Sequence, residues 1–152
     1  NVAKESVAYI IYTSGSTEKP KRVQITHYNV INLIYSMAEA PGITNKDKVF
    51  ALTTISFDPM VIEVYLPLLF GACIVIVDDS TRSNGQLLLK KAIKDKITFM
   101  LGTPSLWQML IDSDWKTPLN IKAITGGEPL TRPLAQKLLA LCSELWNQYG
   151  PT

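Results

Sequence analysis

Cysteine and histidine are both scarce in this chain, which has two cysteines and one histidine among 152 residues. Two cysteines cannot build the disulfide framework of a small secreted domain, and a lone histidine is a poor candidate for a metal site or a catalytic triad. Cys73 and Cys142 both lie among apolar residues. We therefore expect both thiols to be reduced and buried in the core, as is typical of a cytoplasmic protein.

The chain also lacks a strong charge of either sign and a long uninterrupted apolar run. Its net charge is +2, from 15 basic and 13 acidic side chains, so no nucleic-acid partner is expected. The most apolar stretch, residues 61–77, is interrupted by Glu63, Pro67 and Gly71. A membrane span needs about 20 consecutive apolar residues, so no membrane partner is expected either. The first ten residues lack the features of a signal peptide.

Hydrophobic residues make up 47% of the chain, which is enough for a packed core. Runs rich in β-forming residues alternate with segments of helical periodicity. The predicted strands are 7–13, 23–26, 48–54, 72–78, 97–101, 121–125 and 144–150, and the predicted helices are 27–40, 59–70, 85–96, 104–112 and 130–142. Thr26 is the candidate N-cap of the first helix. This alternation predicts an α/β fold with a mostly parallel sheet covered by helices, in which the first strand is buried.

Clusters of mostly polar residues lie at or just after the ends of five predicted strands. TSGS comes at the end of the first strand, SFD follows the third, GTP the fifth, TGGE ends the sixth and YGPT ends the last. Ligands of open α/β sheets bind at the carboxyl ends of the strands. The sequence therefore predicts one binding site assembled from these five clusters.

The first cluster, YTSGSTEKPK at residues 12–21, has the composition of a phosphate-binding loop. It is not a Walker loop, because Gly15 is followed five positions later by proline rather than glycine. The pattern resembles the phosphate loop of the adenylate-forming superfamily, which includes acyl-CoA synthetases, luciferases and the adenylation domains of nonribosomal peptide synthetases. The resemblance implies that the ATP phosphates are bound by Thr13, Ser14, Gly15, Ser16, Thr17 and Lys21, together with Thr152.

Phe57-Asp58-Pro59, followed by Leu69-Phe70-Gly71-Ala72, is similar to a segment of the peptide-synthetase adenylation domains. In that family the aspartate pairs with the α-ammonium of the amino acid, and a carboxylate in an apolar pocket gains from such a partner. By the same resemblance, the side-chain pocket comprises Asp58, Pro59, Ile62, Leu101, Ile124, Gly126 and Gln148. These residues are mostly apolar, which favours a medium or large amino acid that is apolar or carries one polar group.

Two further segments resemble the adenine-binding motifs of the same family. They are TGGEPL at residues 125–130 and NQYGPT at residues 147–152. Paired glycines let a flat ring approach the backbone. The resemblance implies an adenine site formed by Gly126, Gly127, Glu128, Asn147 and Tyr149, with the tyrosine ring stacked on the base.

All four motifs occur in the family's order, so the resemblance covers essentially the whole chain. It identifies residues 1–152 as part of one adenylation domain, with no second domain. It implies that ATP and Mg²⁺ are used to form an aminoacyl-AMP, which is then loaded onto the phosphopantetheine thiol of a carrier protein. The family's catalytic lysine and metal ligand have no counterpart here, so we expect this piece to be inactive in isolation.

The loop departs from the family pattern at two positions, where glycines are replaced by Glu18 and Arg22. Glu18 places a negative charge near the phosphates, which is unfavourable unless a lysine compensates. Two alternatives therefore stay open beside amino-acid activation. The chain could be part of an acyl- or aryl-CoA synthetase, or a nucleotide-binding relic without catalytic activity.

Overall fold

The protein is described here by a computed structural model, which covers residues 2–13 and 20–150. Within these residues the strands are β1 (Val7–Thr13), β2 (Lys21–Thr26), β3 (Lys48–Ala51), β4 (Cys73–Ile76), β5 (Phe99–Gly102), β6 (Leu119–Thr125) and β7 (Cys142–Asn147). The α-helices are α1 (His27–Met37), α2 (Leu66–Phe70), α3 (Asp79–Arg82), α4 (Gly85–Asp95), α5 (Pro104–Asp112) and α6 (Arg132–Leu141). Two π-helical turns, Ala38–Gly42 and Val61–Tyr65, complete the helical structure of this part of the chain.

Most helices begin where the sequence supplies a capping side chain. Thr26 accepts a hydrogen bond from the backbone N–H of Asn29, and the Asn29 side chain bonds back to the N–H of Thr26, so the predicted cap of α1 is confirmed. The side chains of Asn84 and Thr103 likewise accept a backbone N–H hydrogen bond at the starts of α4 and α5, without the reciprocal bond. Each cap satisfies an N–H at the helix start and so fixes where the helix leaves the preceding strand or loop.

Five strands form one parallel sheet in the order β4-β3-β5-β6-β7. Successive side chains of β5 point to opposite faces, with Phe99 and Leu101 in one buried cluster and Met100 in the other. Helices α4, α5 and α6 contribute to the cluster on the Met100 face, whereas α1 and the turn Val61–Tyr65 contribute to the other. The predicted α/β fold with a mostly parallel, helix-covered sheet is confirmed.

The first two strands lie outside this sheet, contrary to the expectation of a buried first strand. β1 and β2 form a separate antiparallel pair, and within β1 only Ile11 is buried. Ile10 and Tyr12 are 46% and 63% exposed. The apolar composition of β1 is compatible with a central strand or with a hairpin, because periodicity does not identify a strand's partner.

Several predicted boundaries and environments differ from those observed. The predicted helix 59–70 consists of the π-helical turn Val61–Tyr65 followed by α2, and the strand predicted to reach residue 54 ends at Ala51. The short helix α3 has no counterpart in the sequence-based assignment. Cys73 is exposed at the start of β4, so its predicted place in the core is wrong, while Cys142 is partly buried.

In the portion of the chain that the structure describes, no helix is long and apolar enough to cross a membrane.

Candidate functional site

The carboxyl ends of the parallel strands bring the predicted site segments together. Gly102, at the end of β5, pairs with Thr125 of β6, and Thr125 pairs in turn with Asn147 of β7. The segments that follow these three strands therefore leave the sheet side by side. The predicted convergence of the GTP, TGGE and YGPT clusters is observed for the residues that the structure describes.

Gly126 lies close to the backbone of neighbouring chain segments at this edge. Its N–H donates to the carbonyl of Gly102 (3.3 Å), and the N–H of Gln148 donates to the carbonyl of Thr125 (2.7 Å). A Cβ atom at position 126 would lie 2.9 Å from the carbonyl oxygen of Gln148. Position 126 therefore requires glycine mainly because a side chain there would clash with the neighbouring chain segment. This reason was not identified from the sequence.

The next two residues of the turn are held by a different contact. Gly127 has a φ of +81°, which favours glycine. Oε2 of Glu128 accepts hydrogen bonds from the backbone N–H (3.0 Å) and the hydroxyl (2.6 Å) of Ser105, in the first turn of α5. These bonds, the hydroxyl bond foremost, lower the pKa of the Glu128 carboxyl below its usual value. Glu128, predicted as an adenine ligand, thus has a carboxylate that links the turn to the start of α5.

Asn147 and Tyr149 lie at the end of β7, beside this turn. Asn147 is the last residue of the strand and is exposed. The Tyr149 side chain is 94% exposed, so a face of its ring is open to a planar ligand. Both predicted adenine contacts are therefore accessible next to the glycine turn.

Asp58 lies in the segment between β3 and the turn Val61–Tyr65, and it is partly buried. Its backbone carbonyl accepts a hydrogen bond from the N–H of Val61 (3.1 Å). The pKa of the Tyr9 hydroxyl is raised, first by burial and then by the nearby negative charge of Asp58. The predicted ammonium ligand Asp58 therefore lies near Tyr9 of β1, the strand that leads into the predicted phosphate loop.

Three predicted pocket residues meet in the buried cluster on one face of the sheet. Ile62, Leu101 and Ile124 are 2%, 8% and 1% exposed. They come from the π-helical turn, β5 and β6, so their proximity depends on the whole fold. Pro59 and Gln148 are partly buried.

A depression of about 410 Å³ opens next to Asp58 but has a different lining from the predicted pocket. On one side it is lined by residues of β1, and on the other by the segment that carries Asp58. The lining residues are Tyr9, Ile10, Ile11, Tyr12, Ile55, Ser56, Phe57 and Met60. None of the seven predicted pocket residues is among them.

The hairpin carries the predicted phosphate site. Thr13 and Lys21 are paired across β1 and β2, so they face each other where the phosphate loop begins and ends. Ser14, Gly15, Ser16 and Thr17 lie outside the described residues, as do Glu18 and Thr152. Arg22 pairs with Tyr12 in the hairpin, and the non-glycine residues with positive φ in the described chain are Lys96 and Asp114. The backbone at Arg22 therefore does not require glycine.

Sequence reasoning treated Glu63 only as an interruption of an apolar run, yet its side chain is fully buried. Its carboxyl accepts hydrogen bonds from the N–H groups of Leu52 and Thr53 and from the Thr53 hydroxyl. Burial raises the pKa of Glu63 to about 7, and these bonds and the charge of Arg82 oppose that rise. The sequence feature that could have revealed this role is the position of Glu63, a glutamate five residues after Asp58 on the apolar face of a predicted helix.

Comparison with known proteins places this geometry in a family. The model of the family described as "AMP-binding enzyme" matches residues 1–152, which is the whole chain. The chain belongs to the AMP-binding enzyme family. Two curated members similar to it are a PKS-NRPS hybrid synthetase of Aspergillus candidus, 42% identical over 153 residues, and the dimodular nonribosomal peptide synthase of Bacillus subtilis, 40% identical over 152 residues. Each alignment covers 100% of this chain and 6% of the relative, so the chain spans a small part of the length of these relatives.

Solved structures of AMP-binding enzymes have the same fold. A four-domain nonribosomal peptide synthetase bound to AMP and glycine matches with a TM-score of 0.88 and 37% identity, over 95% of this chain and 11% of that one. The Vibrio cholerae adenylation domain AlmE, in complex with glycyl-adenosine-5'-phosphate, matches with a TM-score of 0.89 and 25% identity, over 98% of this chain and 29% of that one. The recognised resemblance to peptide-synthetase adenylation domains is confirmed.

Within residues 2–13 and 20–150, no group of three or more histidine, cysteine, aspartate or glutamate residues could hold a metal ion.

Proposed function

We propose that this chain is part of an adenylation domain that activates an amino acid for nonribosomal peptide synthesis. In the proposed reaction the amino-acid carboxylate attacks the α-phosphate of ATP, pyrophosphate leaves, and the aminoacyl adenylate passes to the phosphopantetheine thiol of a carrier domain. The similarity to peptide synthetases over the whole chain supports this proposal. The free thiols Cys73 and Cys142 are compatible with a cytoplasmic location.

The observation that carries the proposal is the environment of Asp58. Its carboxylate is partly buried at the carboxyl edge of the sheet, near Tyr9 and one helical turn from Ile62 on the buried face. A negative charge in such surroundings is stabilised by a cation that also donates hydrogen bonds, and an α-ammonium group does both. A simple carboxylic acid substrate would bring no such cation.

The other residues are assigned by what they can contact. Tyr149 would stack on adenine, Asn147 would bond to the edge of the base, and the turn Gly126-Gly127-Glu128 would lie against it. The phosphates would be bound by Thr13 and Lys21 together with Ser14, Gly15, Ser16, Thr17 and Thr152, which lie outside the described residues. Pro59, Ile62, Leu101, Ile124, Gly126 and Gln148 would surround the amino-acid side chain. The protein's main contribution is then to orient the carboxylate towards phosphorus.

The decisive experiment is Asp58→Asn in the full-length protein, assayed by amino-acid-dependent exchange of pyrophosphate into ATP. Removing one partner of a partly buried ion pair leaves the ammonium group without its charge, so kcat/KM for the amino acid should fall by about 100-fold or more. Asp112→Asn is a matched control, because Asp112 is exposed on α5 and its bond to Gln108 can be kept by the amide. Exchange that depends on simple carboxylic acids and is unchanged in Asp58→Asn would refute the proposal in favour of an acyl-CoA synthetase.

A further inference from the structure

The buried carboxyl of Glu63 binds the end of strand β3. The side chain is 0% exposed. Its Oε2 accepts from the N–H of Leu52 (2.9 Å) and of Thr53 (2.7 Å), and its Oε1 accepts from the Thr53 hydroxyl (3.1 Å). β3 ends at Ala51, so these N–H groups are the first two that follow the strand. A buried N–H without an acceptor is costly, and Glu63 supplies the acceptor for both.

The backbone of the same residue binds the other end of the segment that carries Asp58. The N–H of Glu63 donates to the carbonyl of Pro59 (3.2 Å), which also accepts from the N–H of Ile62 (3.0 Å). One residue therefore contacts both ends of segment 52–59, with its side chain at the start and its main chain at the finish. Glu63 lies within the π-helical turn Val61–Tyr65, and such turns are frequent at functional sites.

Arg82 binds the backbone carbonyl at the start of the same segment. Its Nη1 donates to the carbonyl of Leu52 (2.8 Å), while its Nη2 pairs with Asp79 (2.8 Å). The N–H of Leu52 is thus bound by Glu63 and its carbonyl by Arg82. Between the anchored ends the segment is open to solvent, with Ile55 83% exposed and Phe57 54% exposed.

We propose that Glu63 is a positioning residue for amino-acid recognition, which sets the place of the Asp58 carboxylate by fixing both ends of segment 52–59. This inference rests on the proposed function, because it assigns Glu63 to the binding of the amino-acid ammonium group. Glu63 does not touch the substrate. It acts through the backbone of segment 52–59, which carries Asp58.

The test compares Glu63→Met with Glu63→Gln in the full-length protein. Methionine has a similar volume but leaves the N–H groups of Leu52 and Thr53 without an acceptor, whereas the glutamine carbonyl can still accept from both. Glu63→Met should lower kcat/KM for the amino acid by about tenfold or more, because small misplacements of a binding group are costly. Glu63→Gln should stay within about threefold of the wild type.

Two substrates separate positioning from general destabilisation. The deamino analogue of the preferred amino acid keeps the side chain and the carboxylate but has no ammonium group. If Glu63 acts through Asp58, Glu63→Met should change kcat/KM for this analogue, and the KM for ATP, by less than about twofold. A parallel loss for the amino acid, its analogue and ATP would overturn the inference, and so would an unchanged kcat/KM for the amino acid in folded Glu63→Met.

Thr98→Val is a matched control at the other end of the sheet. The Thr98 hydroxyl donates to Asp47 (2.7 Å) and accepts from the N–H of Lys48 (2.9 Å), so its loss also disrupts a partly buried network. This variant should leave the discrimination between the amino acid and its analogue unchanged. Equal loss of discrimination in Thr98→Val and Glu63→Met would show that any local weakening has this effect, which contradicts the inference.

A milder variant covers the case in which Glu63→Met fails to fold. Thr53→Val removes only the hydroxyl bond to Oε1 of Glu63 and should lower kcat/KM for the amino acid by about threefold, again with the analogue unaffected. No change in Thr53→Val would then count against the inference. If the wild-type protein shows no amino-acid-dependent pyrophosphate exchange at all, the proposed function fails. If the wild-type protein is active but substitutions at Glu63 and Thr53 do not change its activity, only the inference about Glu63 fails.

Discussion

The five-stranded sheet and the β1–β2 hairpin support different parts of the candidate site in different ways. In the sheet, Phe99 and Met100 of β5 are 0% and 1% exposed, and packed clusters cover both faces. In the hairpin, Ile11 is buried while Ile10 and Tyr12 on either side of it are largely exposed. The residues proposed to bind the amino-acid side chain and adenine therefore lie on the packed unit, whereas Thr13 and Lys21, which are proposed to bind phosphate, lie on the less packed one.

This difference suggests a division of tasks along the site. Positions at the sheet edge are fixed by backbone contacts such as Gly126 against Gln148, which leave little freedom. Thr13 and Lys21 are held across a two-stranded pair, and Lys21 is exposed. We expect selectivity for the amino acid and the base to depend on packing, and contacts to phosphate to depend on a smaller and more easily opened element.

The largest effect is expected from a substitution that tests the difference in packing between the sheet and the hairpin. Trp107→Ala should lower the free energy of opening of β5 and β6 by about 3–5 kcal/mol, because the fully buried indole fills the centre of one cluster. Ile10→Ala should lower the free energy of opening of β1 and β2 by less than about 1 kcal/mol, because Ile10 is 46% exposed. Native-state hydrogen exchange of the full-length protein measures both. Similar decreases in the free energy of opening in the two variants would show that the sheet and the hairpin are equally well packed.

A smaller effect should come from the buried charge on the sheet side. The pKa of Glu63 is about 7 in the folded protein against an ordinary value of 4.5, so between these pH values the folded state holds a proton that the unfolded state has released. The contribution of Glu63 to stability should therefore be greatest below pH 4.5 and should fall by about 3 kcal/mol, measured against Glu63→Gln, as the pH rises to 7. Hydrogen exchange of β3 in both proteins, at matched pH, gives this difference. A difference that does not vary with pH would contradict the assignment.

The smallest effect concerns the contact at the sheet edge. Gly126→Ala places a Cβ atom 2.9 Å from the Gln148 carbonyl, so the segment that carries Tyr149 must shift, and the KM for ATP should rise by about tenfold. Gly150→Ala is the comparison, because no atom lies within 4 Å of a Cβ at that position, and its KM for ATP should change by less than about twofold. Equal KM values in the two variants would show that the close contact does not position the adenine site.

The sequence was sufficient to predict features that depend on local chemistry. Alternating periodicities predicted the parallel sheet, and Thr26 predicted the start of α1, because caps and amphipathic faces depend on residues within a few positions of each other. The position of Asp58 after β3 also followed from local order. These features need no knowledge of distant contacts.

Features set by distant contacts could not be predicted in this way. Glu63 is buried because it meets N–H groups 10 and 11 residues earlier in the chain, whereas hydropathy treats a glutamate only as an interruption. Gly126 is required by Gln148, which directly follows the neighbouring strand, and the separation of β1 from the sheet depends on which strand β1 pairs with. Each depends on the tertiary arrangement, which residue spacing alone does not contain.

The two cysteines differ in a way that has a practical use. Burial raises the pKa of the Cys142 thiol to about 12, so this thiol stays protonated and unreactive near neutral pH. Cys73 is exposed at the first residue of β4, at the opposite end of the parallel strands from the candidate site. A maleimide fluorophore should therefore label this part of the protein at one position, where it can report on folding without touching the bound nucleotide.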